Sequence, residues 1–143
     1  MMKINIIYWS GTGNTASMAT LISEGAAEIG ADVQLINVSL DDISDALNAN
    51  IIALGCPSMG SEILEEDEFE PFICSIESSL KGKKIALFGS YGWGDGQWMR
   101  DWSDRMEKAG AIIVSPALIV NSAPGDDSEQ LCRQLGVDLA KIK

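Results

Sequence analysis

The sequence contains no histidine. That absence removes the usual imidazole general base, the Ser-His-Asp arrangement and the commonest metal ligand, so ordinary hydrolytic chemistry loses most of its side chains. Cysteine is scarce: Cys56, Cys74 and Cys132 are odd in number, far apart and in no Cys-x-x-Cys spacing. This argues against a disulfide framework or a zinc site and fits reduced thiols in a cytoplasmic protein. No metal is expected. Basic residues are few, ten against 21 acidic ones, for a formal charge of −11. That sign disfavours nucleic acid and anionic membranes and favours a basic protein partner, although acidity also serves solubility alone. Long apolar runs are missing too. Met-Met-Lys is followed by a largely apolar run from Ile4 to Trp9, too short to span a bilayer and without a small-residue cleavage site, so the expectation is a cytoplasmic protein with no membrane segment. There is no internal repeat, low-complexity tract or linker, and 143 residues suit one unit, so residues 1–143 are read as a single domain.

What is present is an alternation of two periods. Short apolar runs at Ile4 to Trp9, Val33 to Val38, Ile51 to Gly55, Ile85 to Gly89 and Ile112 to Val120 read as five strands, the last interrupted at Pro116. Between them Met18, Ile22, Ala26 and Ile29 keep helical spacing, as do Phe69, Phe72, Ile76 and Leu80. Trp98, Trp102, Met106 and Ala109 form a third such stretch, and Leu131, Leu135, Leu139 and Ile142 a fourth. Asp41 to Leu47 is a shorter helix candidate. The class is therefore α/β, a doubly wound parallel sheet with helices on both faces, in which strands buried on both sides need no polar alternation. Gly30, Gly82 and Gly110 stand where helices should end in a left-handed residue. Pro116 places the fifth strand at an edge or breaks it. In such sheets ligands bind beyond the carboxyl ends of the strands, so the loops after strands carry the functional question.

The loop after the first strand reads Ser10-Gly11-Thr12-Gly13-Asn14-Thr15 and leads into a helix. Gly11 and Gly13 let the backbone approach an oxyanion, hydroxyls add donors, and the free N–H groups of the helix start add positive partial charge. A nucleoside triphosphate loop would require Gly-x-x-x-x-Gly-Lys-Ser/Thr, yet no lysine follows until Lys81. The dinucleotide pattern Gly-x-Gly-x-x-Gly also fails, because Gly13 is followed by Asn14, Thr15 and Ala16. A neutral, hydroxyl-rich cradle suits one phosphate monoester; an ordinary glycine-rich turn capped by Asn14 or Thr15 has the same composition.

The run Tyr8-Trp9-Ser10-Gly11-Thr12-Gly13-Asn14-Thr15 resembles the phosphate signature of the flavodoxins, in particular the short-chain type of anaerobic bacteria. The resemblance extends over the whole chain and includes the lack of an insertion in the fifth strand. It implies a three-layer flavodoxin-like sandwich with strand order 2-1-3-4-5, and FMN as cofactor, with Ser10, Thr12, Asn14 and Thr15 on the phosphate. That order would make the first, third and fourth strands neighbours and gather their loops at one crevice.

Two further loops resemble the family's flavin-ring loops: Gly55-Cys56-Pro57-Ser58-Met59-Gly60-Ser61-Glu62 and Gly89-Ser90-Tyr91-Gly92-Trp93-Gly94-Asp95-Gly96. Each offers one large polarizable side chain, Met59 or Trp93, among small neighbours, so two faces could clamp a planar ring. Met59 taken singly reads rather as a loop residue packed on the core, whereas a tryptophan between glycines is harder to explain in that way. Trp98 and Trp102, four apart on a helix, read as core, and Trp9 either packs beneath the cofactor or simply ends a buried strand. The family resemblance implies that the Gly60-Ser61 backbone turns over when the flavin gains an electron and a proton, that Glu62 accepts from flavin N3–H, and that Pro57 has lost a phosphate contact other members have. Whether Ser58 replaces that contact stays open. Ser90 is a further contact candidate, and Tyr91, Gly92 and Gly94 frame Trp93.

Glu62, Glu65, Glu66, Asp67, Glu68 and Glu70 form a dense acidic run. Such a run is in part a solvated face. A carboxylate about 10 Å from an anionic reduced ring also costs it about 1.7 kcal/mol at an effective dielectric of about 20, or about 70 mV before screening. The resulting expectation is a low-potential one-electron carrier, not an enzyme, shuttling FMN between semiquinone and hydroquinone, monomeric, and serving basic redox proteins. The competing reading is an FMN-dependent NAD(P)H:quinone reductase of the same fold, which would need longer loops or a dimer partner. A phospho-accepting signalling domain is disfavoured, because Gly55-Cys56 and Ser10-Gly11 stand where its aspartates belong.

Overall fold

The computed structural model describes residues 2–142; Met1 and Lys143, the two ends of the span read as one domain, lie outside them. Six parallel strands and four α-helices alternate: β1 (Lys3–Tyr8), α1 (Asn14–Glu28), β2 (Asp32–Asn37), β3 (Ile51–Gly55), α2 (Phe69–Ile76), β4 (Lys84–Tyr91), α3 (Gln97–Lys108), β5 (Ile112–Ile113), β6 (Leu118–Asn121) and α4 (Asp126–Ala140). The sheet runs β2-β1-β3-β4-β5, and β6 also pairs with β4. The expected order is thus observed. The expected fifth strand is two short pieces flanking Pro116, both bonded to β4, because proline can neither donate nor continue a ladder.

Side-chain alternation splits the core into two layers. Ile4 and Ile6 face α1 and α4 and pack with Met18, Ile22, Leu135 and Leu139. Ile7, Ile52 and Leu54 face α2 and α3 and pack with Phe69, Trp98, Trp102 and Met106. Trp98 and Trp102 are core, as their spacing indicates, and Phe69 meets Trp102 edge-on at 5.5 Å. Two expectations of burial fail: Leu131 is 56% exposed and Ile29 46% exposed, since Cys132 and Gly136 take up the inward face of α4 and α1 has ended at Glu28.

Asp41 to Leu47 is a series of turns, not a helix. Its side chains bond the local backbone instead: Asn37 N–H donates to Asp41 Oδ2 at 2.7 Å, and Ser44 N–H to Asp42 Oδ1 at 2.9 Å. Short polar side chains offering such bonds compete with helical ones. Buried Asn5 anchors the segment by donating to the Ala46 carbonyl at 2.9 Å. The second predicted helix stops at Ile76, and a 3-10 turn (Glu77–Ser79) delivers Leu80 to the core. Gly30, Gly82 and Gly110 all adopt positive φ, as expected of residues that end helical turns.

Helices α1 and α4 cross backbone to backbone. A Cβ on Gly136 would collide with the Ile22 carbonyl, and one on Gly25 with the Arg133 carbonyl. Alanine normally improves a helix interior by about 0.5–1 kcal/mol over glycine. Here Gly136→Ala is expected to destabilise by about 1–3 kcal/mol, since overpacking outweighs propensity. Urea unfolding of the purified variant checks the sign; a gain in stability would refute the close crossing.

Candidate functional site

Register brings the three loops together. Tyr8 stands opposite Gly55, and Gly55 opposite Phe88, so β1, β3 and β4 present their carboxyl ends side by side. Pairing continues into the loops: Trp9 N–H donates to the Gly55 carbonyl at 3.0 Å and Ser58 N–H to the Ser90 carbonyl at 3.0 Å. From the outer side, Ser122 N–H donates to the Tyr91 carbonyl at 2.8 Å. The loops are therefore fixed by backbone bonds before any ligand contributes.

Within the first loop, Ser10 Oγ accepts from Ala16 N–H at 3.1 Å and Gly13 turns the chain at φ 101° into α1. Thr15 is buried, its hydroxyl 3.0 Å from that of Ser90, which ties the start of α1 to β4. The N–H groups of Gly11, Thr12, Gly13, Asn14 and Thr15 have no acceptor among the described residues. Consecutive unpaired donors at a helix start form an anion cradle.

Beside this loop lies a cleft of about 260 Å³. Gly11, Thr12 and Asn14 line it on one side, Ser58 and Met59 on another, and Ser90, Tyr91 and Gly92 on a third. The remaining predicted site residues lie around it. Ser10, Gly13 and Thr15 build the loop from beneath; Gly60, Ser61 and Glu62 form an outer turn; Trp93 is 62% exposed and, with Gly94, stands outside the cleft. Three further lining residues are Trp9, Pro57 and Ser122. Trp9 had two readings in the sequence, and the structure places its ring in the wall. Ser122 was missed: only the pairing of β6 with β4 delivers it, and its one local sign is position, directly after a strand. Among the described residues, the two non-glycine ones with left-handed backbone, Ser122 (φ 62°) and Glu62 (φ 53°), both belong to this end of the sheet. Strained backbone of this kind concentrates at functional sites.

The turn from Met59 to Glu62 closes through Glu62 N–H donating to the Met59 carbonyl at 2.7 Å. Gly60 lies outside the left-handed region, and nothing stands within 4 Å of where its Cβ would be. Glu62 does not line the cleft; its Oε1 accepts from Gln97 N–H at the start of α3 at 3.2 Å. The second oxygen of that carboxylate has no partner among the described residues.

The acidic run divides by role. Glu65, 6% exposed, accepts from three backbone N–H groups, those of Asp67, Glu68 and Phe69, at 2.7–2.8 Å. Burial pushes its carboxyl up, and the three donors together outweigh burial, leaving it below the ordinary value of 4.5. Arg105 grips both oxygens of Glu70 at 2.7 and 2.6 Å and also bonds Glu77 at 2.7 Å, holding the Glu70 carboxyl below its ordinary range. Glu68 Oε1 accepts from Trp9 Nε1–H at 3.0 Å and from the Ser39 hydroxyl at 2.9 Å. Only Glu66 and Asp67 project to solvent with no side-chain partner among the described residues. Burial pushes the Cys56 thiol up to about 12, so it is no thiolate nucleophile. Among the described residues no acid or cysteine cluster is arranged for a metal ion, and no helix is long and apolar enough to cross a membrane.

The cleft fits a flavin phosphate on the chemistry of its donors. Acceptor-free N–H groups and the Thr12 hydroxyl supply bonds to a dianion, no charged side chain lines the space, and Met59 and Tyr91 give the other end apolar character. Fold and site define a doubly wound mononucleotide-binding domain with its ligand crevice at the switch point between β1 and β3. Residues 6–136 match the flavodoxin family, and the chain belongs to it. It is 54% identical to the flavodoxin of Clostridium beijerinckii, over 97% of this chain and all of that one, and 46% identical to that of Megasphaera elsdenii, over 96% and 98%. The solution structure of two-electron reduced M. elsdenii flavodoxin superimposes with a TM-score of 0.88 at 45% identity, covering 97% of this chain and 99% of that one. A flavodoxin from the domain Archaea superimposes at 0.87 with 30% identity, covering 98% and 97%. The protein is an FMN-binding electron carrier, a redox shuttle to partner oxidoreductases and not an enzyme, and the quinone reductase reading is not favoured.

Because the Glu65 carboxyl is lowered in the fold, its ionised form stabilises the native state above about pH 4.5, and that contribution disappears as pH falls through the lowered native value. Glu65→Gln turns an amide donor toward one of the three N–H groups and should cost about 2 kcal/mol near neutral pH. Urea unfolding of both proteins at about pH 7 and about pH 3 should show the gap closing in acid. A gap that stays constant would remove the carboxylate from the argument.

Proposed function

We propose that FMN binds with its phosphate in the Ser10–Thr15 loop and its ring between Met59 and the loop bearing Trp93, and that the protein is a cytoplasmic monomer delivering single electrons at low potential to basic redox proteins. The observation that carries this reading is the row of N–H groups without an acceptor among the described residues, beside a cleft lined by Gly11, Thr12 and Asn14 and by no charged side chain. When bound, FMN supplies a ring that takes up and releases electrons one at a time.

The chain's own residues do the rest. Thr12 and Asn14 join the N–H groups around the phosphate, with Ser58 and Ser90 facing them across the cleft, so Ser58 is assigned the contact that Pro57 does not supply. Met59 covers one face of the ring, and Trp93 has the exposure that a covering partner would remove. The free oxygen of Glu62 accepts a ring N–H while its other oxygen stays on Gln97. Glu66 and Asp67 raise the cost of adding negative charge nearby and attract a basic partner.

Apoprotein titrated with FMN should take up one equivalent, and anaerobic reduction should then proceed in two separate one-electron steps. Electron transfer to a basic acceptor should slow as salt is added. A protein indifferent to FMN, or one that turns over quinone with NAD(P)H unaided, refutes the proposal.

The turn from Met59 to Glu62 gives a second test. Alanine at Gly60 meets no atom in the observed turn. It resists the left-handed angles that the alternative peptide orientation demands. Gly60→Ala should leave FMN affinity within about twofold and lower the first one-electron potential by about 60 mV, equivalent to about 1.4 kcal/mol. Spectroelectrochemistry measures it, and an unchanged potential would show that the turn does not reorient.

A further inference from the structure

Among the acids beside the cleft, Glu68 alone reaches back to the wall of the cleft. Its Oε1 takes the Trp9 indole N–H at 3.0 Å and the Ser39 hydroxyl at 2.9 Å, so one carboxylate joins the chain leaving β1, the loop after β2 and the entry to α2. Glu68 is itself held, since its backbone N–H donates to the buried Glu65 carboxylate at 2.7 Å. On the other side, the Trp9 ring lies against the phosphate loop: a Cβ on Gly11 would stand 3.0 Å from the ring edge. Trp9 and Gly11 both line the cleft. A continuous series of contacts therefore runs from the buried carboxylate of the acidic loop to the first glycine of the anion cradle.

We propose that Glu68 is a positioning residue for the cofactor: by fixing the indole of Trp9 it holds the wall of the cleft against Gly11 and keeps the phosphate loop in its binding shape. Glu68 does not touch the cofactor; it acts through Trp9. The inference rests on the cleft assignment made above. A charge-assisted hydrogen bond to the indole keeps a half-buried ring in one orientation. Without it only packing against the core and Gly11 holds the ring, and other χ1 and χ2 rotamers become accessible at the mouth of the site.

Electrostatics and positioning predict opposite signs here. Removing a negative charge near a phosphate dianion tightens binding if charge is all that Glu68 contributes. Removing the hold on Trp9 loosens binding. FMN affinity of the full-length apoprotein should be measured by flavin fluorescence quenching for wild type, Glu68→Ala, Glu68→Gln, Trp9→Phe and the double variant Glu68→Ala/Trp9→Phe, at low and high salt. The expected result is a loss of about five- to tenfold for Glu68→Ala and for Trp9→Phe, with the double variant no weaker than the weaker single one, because the two share one interaction. Glu68→Gln, which keeps a carbonyl acceptor, should stay within about twofold of wild type. The Glu68→Ala loss should persist at high salt, where a long-range charge effect would fade.

Tighter binding by Glu68→Ala, equal effects of Ala and Gln, or additive losses in the double variant would each overturn the proposal. If Trp9→Phe weakens binding and Glu68→Ala does not, the cleft stands and only the role of Glu68 falls. If neither variant changes affinity, Trp9 does not shape the phosphate loop and the inference falls, whereas a wild-type protein that takes up no FMN removes the cleft assignment itself. Thermal melts of the apoproteins separate these outcomes from loss of fold, and Glu68→Gln retains the test if the alanine variant does not fold.

Discussion

Everything at the functional end depends on the parallel register of β1, β3 and β4. Tyr8, Gly55 and Phe88 lie side by side, and the ladder continues through Trp9 and Ser58 before the loops diverge. Parallel strands that end together must release their loops on the same side, and the reversal of winding between β1 and β3 leaves a crevice there that no helix covers. A shift of one residue in either pairing would turn Ile7 and Leu54 out of one core layer and their neighbours out of the other, so the two-layer core enforces the register. The site is thus held open by burial elsewhere, and the Thr15–Ser90 hydroxyl contact locks its floor.

The acidic run shows how a chain with a formal charge of −11 uses its carboxylates. Left in water, six neighbouring acids would only repel one another. Instead Glu65 satisfies three backbone donors at the entry to α2, Glu70 is held by Arg105, Glu62 caps α3 and Glu68 holds Trp9. These bonds order a segment whose apolar side chains are only Ile63, Leu64 and Phe69, and they fix where the remaining charges of Glu66 and Asp67 stand. Order therefore comes from Glu62, Glu65, Glu68 and Glu70, while the solvent-facing charge of Glu66 and Asp67 is carried by a backbone those bonds have already fixed.

The strands and long helices were legible because their signals are local. Apolar runs and 3.6-residue spacing are written into β1, β3, β4 and α1, and Pro116 marked the break in the last strand. The cradle-shaped loop after β1 was legible for the same reason: Gly11, Thr12, Gly13 and Asn14 are contiguous. What could not be read depends on distant partners. No neighbour of Glu68 in the chain indicates Trp9, 59 positions away, or distinguishes it from Asp67. Ser122 reaches the cleft only because the second half of a broken strand pairs with the carboxyl end of β4. The turns from Asp41 to Leu47 fail as a helix because side chain to backbone bonds win locally, a competition that apolar spacing does not reveal.

An acidic protein that binds an anionic cofactor must solve an electrostatic conflict, and the proposed binding mode solves it by separation and by dipoles. Ten basic residues are available, yet none lines the cleft. A lysine there would bind phosphate more simply, but its charge would also favour the added electron and so oppose a low potential. Backbone N–H groups at the start of α1 carry partial charges that act over the length of a hydrogen bond and decay within about a turn of helix. In the proposed binding mode they would hold the phosphate and leave the far end of the cleft, at Met59, to the field of the nearby carboxylates. Anchoring by neutral donors at one end therefore permits negative potential at the other, and the lack of lysine in the Ser10–Thr15 loop is what allows both to coexist in one cleft.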